Sequence, residues 1–228
     1  MFDTLIDLLF IGAAGFSVWQ LYRASARPLW LLLGFLAWAA LQAWLGHSEF
    51  YAVDGAMPPR FVWMPGPPLL AIFLLFALPA GRAWMDKWNL QALTWVHVVR
   101  VPVEFVLWYL YVKGRIPELM SVEGGNLDIL AGLSAPVMVQ LSFYADRRIG
   151  RSWLFLWNIL CLGLLLNIVV RGILSAPSPF QQFGQEVEHF ALIDFPYTWL
   201  PSVIVPIVML SHLAAMRAIW LQNPRSVS

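Results

Sequence analysis

The stretch His97-Val98-Val99-Arg100-Val101-Pro102-Val103-Glu104 places three ionisable side chains in an otherwise apolar run. Spaced i, i+3 and i+7, His97, Arg100 and Glu104 project from one face of a helix. Such a triad can bind a polar or anionic group on the guanidinium, hold a proton on the carboxyl and relay it through the imidazole. Arg100 and Glu104 can also neutralise each other at i, i+4, although Arg before Glu is the weaker order. Pro102 between them donates no hydrogen bond, so the carbonyl of Val98 loses its helical partner. Asn167 and Arg171 share a second helical face and are expected to line the same cavity nearer its mouth, while Asn158 points away from that face.

The four histidines raise the question of metal. His97 and His212 are expected about five residues inside the cytoplasmic ends of their helices, about 8 Å deep at about 1.5 Å per residue. Equal depth would allow bis-histidine haem ligation if the two helices are neighbours. His47 beside Glu49, and His189 among Glu186 and Glu188, could hold a divalent cation. No H-x-x-x-H or H-E-x-x-H spacing supports either idea, so hydrogen-bonded histidines and no cofactor are the expectation. A lone cysteine, Cys161, builds neither a disulfide framework nor a cysteine-ligated zinc site. Retinal is excluded, because the only lysines, Lys87 and Lys113, stand at helix ends and a Schiff base needs an amine inside the bundle. Without a phosphate-binding loop, the chain does not hydrolyse ATP to drive transport.

These residues must be held by helices in lipid. Of 228 residues 60% are hydrophobic and 12% charged, with a mean hydropathy of +0.70. A soluble domain carries about 45–50% apolar and about 25% charged residues. The excess cannot be hidden in one core of this size, so the chain reads as an integral, multi-pass membrane protein. A net charge of +1 excludes a polycation for nucleic acid. Apolar runs of spanning length fall at 5–22, 28–46, 65–81, 92–112, 127–145, 152–172 and 197–217. They are continuous rather than alternating, and every backbone group in hydrocarbon needs an internal partner, so helices follow. The first run reads as a span rather than a cleavable leader, since Asp3 and Asp7 precede the first basic residue, Arg23.

Basic residues orient the bundle. Arg23, Arg27, Arg82, Lys87, Arg147, Arg148, Arg151, Arg217 and Arg225 fall on one side, against Arg60, Lys113, Arg115 and Arg171 on the other. That asymmetry predicts an all-α, seven-transmembrane-helix bundle with the N-terminus outside and the C-terminus cytoplasmic, in a plasma or inner membrane. Asp128 counts among the external acids, with Asp54, Glu118 and Glu123, whereas Asp86 and Asp146 are internal. Tryptophans at the run ends, such as Trp30, Trp84, Trp44 and Trp63, form the expected aromatic belts. Prolines Pro102, Pro136 and Pro206 interrupt three spans and permit kinks around a hydrated cavity. Residues 173–196 are expected to form an external lid. There Phe180, Phe183, Val187, Phe190 and Leu192 step mostly by three and four, which predicts a short interfacial helix.

The expectation is a single transmembrane domain, residues 1–228, with a polar intramembrane site opening to the external side. It binds or transports a small polar or anionic solute, with a proton on Glu104. A non-catalytic subunit or sensor is the first alternative, its polar face meeting a partner helix. The second is an intramembrane enzyme on a lipid-like substrate, with His97 or Glu104 as base, although no nucleophile–base spacing supports catalysis. Expected partners are membrane lipids, a small solute and another copy or subunit; the small-sided centre of the first span around Gly12 and Gly15 permits close helix approach, within the chain or between chains.

Overall fold

The computed structural model describes residues 2–53, 57–145 and 149–221. Among the sequence features above, Asp54, Asp146, Arg147, Arg148 and Arg225 lie outside the described residues. The described chain is helical without strands. Its main helices are α1 (Phe2–Ala24), α2 (Leu29–His47), α3 (Gly66–Ala77), α4 (Pro79–Met85), α5 (Leu90–Val112), α6 (Ile129–Tyr144), α7 (Arg151–Ser175) and α8 (Leu200–Leu221). Five of them, α1, α2, α5, α7 and α8, are long and apolar enough to cross a membrane, so the chain is compatible with a multi-pass membrane protein.

The third apolar run departs from expectation. It breaks at Leu78, and α3 and α4 meet at 93°. The cause is Pro79, which pushes the residue before it into extended backbone, and Leu78 adopts φ −84°, ψ 134°. Gly81 permits the sharp corner, because a Cβ there would lie 2.4 Å from the carbonyl oxygen of Leu75. Arg82 closes it by donating from Nη1 to the carbonyls of Phe76 and Ala77 at 2.9 and 3.0 Å. With 12 residues, α3 is about 18 Å long, short of the ~30 Å hydrocarbon core. The external lid departs as well. Its apolar residues make a single 3₁₀ turn, Ala191–Ile193, rather than an interfacial helix.

The centre of the bundle is α5 and α8, whose apolar stretches are 61% and 72% buried, against 11% for α2. One end gathers Asp3 with Tyr109 (2.5 Å) and Lys113 (3.8 Å), Asp7 with Tyr197 (2.6 Å), and Arg115 with Asp194 (2.8 Å). At this end Tyr51 donates to Gln42 at 2.6 Å, and burial pushes its phenol up to about 12, so it remains a donor at neutral pH. The opposite end gathers Asn89 with the carbonyl of Ala24 (2.9 Å), Trp30 with Trp84, and Arg217 with Asp86 (2.7 Å). Counting α3–α4 as one element, each helical element therefore runs opposite to the one before it, so the long helices α2, α5 and α7 are parallel to one another.

Candidate functional site

Helix α5 carries the polar face on its buried side, and His97, Arg100 and Glu104 are at most 2% exposed. A 3₁₀ turn at His97–Val99 tightens the helix just before Arg100 and Pro102. Arg100 and Glu104 do not satisfy each other as the sequence spacing suggested. Arg100 Nη1 instead meets Asp128 Oδ1 at 3.2 Å and donates to the carbonyl of Cys161 on α7 at 3.1 Å. Both oxygens of Glu104 lie within reach of Asn126 Nδ2, at 2.7 and 2.8 Å. Asn126 also accepts from the backbone of Asp128 through Oδ1, at 3.2 Å, which fixes the two new partners relative to each other.

Asn126 and Asp128 are the site residues that the sequence reading missed. Asp128 was counted as an external acid, yet only 6% of its side chain is exposed. It precedes α6 without capping it, because its carboxylate is turned to Arg100 instead of the free backbone N–H groups. Close approach of α6 makes this possible. A Cβ on Gly132 would stand 2.8 Å from Val101 Cγ2 and 3.2 Å from Arg100 Cβ, so a glycine is what lets the helices touch here. The signal available in sequence was the turn Gly124-Gly125-Asn126 and an acid directly before an apolar run.

Arg171 is half-buried, and its Nη1 donates to the carbonyls of Leu119 (2.7 Å) and Gly124 (2.9 Å). It thereby holds the segment that delivers Asn126 and Asp128, and acts as a positioning residue. Asn167 is exposed on the outer face of α7 and is not brought to the site. Asn158 is buried, and its Oδ1 accepts from His212 Nδ1 at 2.8 Å, which joins α7 to α8.

His97 and His212 are indeed neighbours, but their rings stack with centroids 3.8 Å apart and 17° between planes. Haem ligation would place them on opposite faces of a porphyrin, which this face-to-face contact does not admit. Trp157 closes the pair, edge-on to His97 at 5.3 Å. Neither ring nitrogen of His97 has a hydrogen-bond partner among the described residues, so the imidazole is not joined to Arg100 or Glu104 and the expected hydrogen-bonded histidine is not found there. His47, Glu186 and Glu188 are exposed, and His189 Nε2 meets Asp194 at 2.6 Å rather than those glutamates. Among the described residues no three of His, Cys, Asp and Glu form a metal-binding group.

A cavity of about 1060 Å³, mouth included, extends from the cluster. Arg100, Glu104 and Asp128 line it, and most of the remaining wall is aliphatic, from α5, α7 and α8. Toward the Asp3–Lys113 end it is covered by buried Met120, Phe190, Leu192 and Ile193. Arg100 keeps Nε and Nη2 without a hydrogen-bond partner among the described residues. A buried guanidinium with unused donors is costly unless something accepts from it.

Five helices of spanning length and hydropathy, with a buried ion cluster beside an apolar cavity, make the class one compatible with a multi-pass membrane protein. Residues 60–220 match the family described as "Domain of unknown function (DUF8737)", and the chain belongs to that family. The match starts after α2 and contains every member of the ion cluster. No curated protein matches the chain, and no solved structure does.

Proposed function

We propose that the chain crosses the membrane seven times, N-terminus outside and C-terminus cytoplasmic, and binds or carries a small solute at Arg100. Alternating helix directions and the grouping of Asp3, Lys113, Arg115 and Asp194 at one end, with Asp86 and Arg217 at the other, support that topology. In this reading α3 and α4 form one broken crossing and α6 another. The observation that carries the function is Arg100 itself, 2% exposed, lining a cavity with its Nε–Nη2 edge unused. That edge offers two parallel N–H donors, a fork matched to an oxyanion or carbonyl-bearing group. One guanidinium faces two carboxyls, Asp128 and Glu104, so the cluster is electroneutral when one carboxyl carries a proton. Binding of an anion there is linked to proton uptake on that account.

Thermal unfolding of the purified protein, followed by tryptophan fluorescence, tests this with carboxylates from acetate to hexanoate and the matching alcohols. A ligand that binds only the native state raises the midpoint. The expected result is an upward shift with at least one carboxylate, lost when Gly172→Trp fills the cavity from α7 while leaving the cluster intact. No shift across the panel, or an equal shift in the filled variant, overturns the reading.

A further inference from the structure

The cavity's cover and its mouth face different phases. Its cover is stitched shut: the Ala191 backbone N–H donates to the carbonyl of Arg115 at 2.9 Å, and Arg115 pairs with Asp194 at 2.8 Å. Arg171 pins the neighbouring segment through Leu119 and Gly124. Beneath, Ile116, Met120 and Phe190 are no more than 5% exposed. The exposed part of the lining lies elsewhere, at Leu69 (37%) on α3 and Ile173 (43%) on α7. Both helices border the cavity that lies on α8, whose Val205 and Met209 are half-buried between them. Side chains of this type on the flank of a spanning bundle face hydrocarbon, not water. The gap is a window to the bilayer.

We infer that the ligand is a long-chain carboxylic acid that reaches Arg100 sideways from the bilayer, through the window between α3 and α7. This rests on the proposed binding role of Arg100 and adds the substrate class and the route. Each part of the molecule has its counterpart. The chain matches the aliphatic wall from Leu165 to Ile173 and from Leu200 to Met209, and the carboxyl matches the free Nε–Nη2 edge. A sugar or an amino acid would leave its own polar groups against aliphatic walls without partners. The acid dissolves in the bilayer in its neutral form and brings its own proton, so no net charge enters the site. Inside, Glu104 and Asp128 stand beside Arg100 to share that proton.

The test uses the full chain in phospholipid vesicles with two photoactivatable probes, a diazirine-bearing hexadecanoic acid and the corresponding diazirine-bearing hexadecane. After irradiation, labelled peptides are identified by mass spectrometry. The expected result is acid labelling on 165–173 and 200–209 exceeding hexadecane labelling by about tenfold, the discrimination of one good charge-assisted contact. Ile173→Trp, which obstructs the window without touching the cluster, should abolish it while the unfolding midpoint stays unchanged. Equal labelling by both probes would mean a slot for bilayer chains only and would overturn the inference. If short carboxylates stabilise the protein but the long acid labels neither segment, the lateral route and chain length fall while the binding role of Arg100 stands. If neither occurs, both fall.

Discussion

Replacing Asp128 by Asn isolates the interaction on which the site is built. Arg100 and Asp128 approach to 3.2 Å with side chains 2% and 6% exposed, so the pair is effectively out of water. Removing one partner of such a pair leaves an uncompensated buried charge and costs about 3–5 kcal/mol. Glu104→Gln is expected to cost much less. Its partner Asn126 can still donate to the retained oxygen, so the loss is about one hydrogen bond, ~0.5–1.5 kcal/mol. For a chain of this length about 1 kcal/mol moves the melting temperature by roughly 2–4 °C, so Asp128→Asn should lower it by about 6–20 °C. Glu104→Gln should lower it by about 1–6 °C. The double change Arg100→Met, Asp128→Leu removes both charges at once and should recover most of the loss. Fluorescence-detected melting in one detergent compares all four proteins. If Glu104→Gln proves the more damaging single change, or the double change rescues nothing, the assignment of Asp128 as the partner of Arg100 is refuted.

Three further outcomes follow from the packing and the topology. Gly132→Ala forces a Cβ to within 2.8 Å of Val101, and overpacking should destabilise by about 1–3 kcal/mol, read as a lower melting temperature. Asn158→Ala leaves His212 Nδ1 buried without its partner and should cost about 1–3 kcal/mol in the same assay, with Asn158→Asp or Gln expected to retain more. For orientation, cysteine introduced at Lys113 should react with a membrane-impermeant maleimide added outside intact cells, and cysteine at Lys87 should react only after lysis; the reverse pattern overturns the N-out assignment.

The polar face of α5 was readable in sequence because ionisable residues in an apolar run have no cheap surface to occupy. Its partners were not, since Asp128 looks like any acid in an external connection. What buries it is non-local: Arg171 holding the carbonyls of Leu119 and Gly124, and Gly132 admitting α6 to α5. The same limit explains Asn167, which shares a helical stripe with Arg171. One turn separates a side chain that reaches an adjoining loop from one that faces outward. Hydropathy located the helices, five of them long enough to cross a membrane, but the corner at Leu78 was passed over because its neighbours are as apolar as the helix. Pro79 was the signal, and backbone restriction outweighed composition. Of the apolar residues spaced by three and four in 180–192, Phe190 and Leu192 are pressed onto the bundle as a cover while Phe180 and Phe183 are exposed, and no helix forms.

Helix α2 is the least embedded of the five long helices, burying only Gln42 and Gly46, and what ties it down is largely polar. Pro206 cannot donate to the carbonyl of Ser202, and Trp38 of α2 donates to that oxygen at 2.9 Å. Trp199, directly before α8, returns a bond to the carbonyl of Ala39, also at 2.9 Å. Two indoles thus fasten a helix that packing alone would hold loosely. In the proposed topology such an element is expected to insert on its own hydropathy and to join the bundle by docking. Its lipid-facing surface is then free to drift in evolution so long as Trp38 and the proline-freed carbonyl remain a pair. A library randomised over the exposed positions of α2 would stay assembled, whereas Trp38→Phe would release the helix from an otherwise intact bundle.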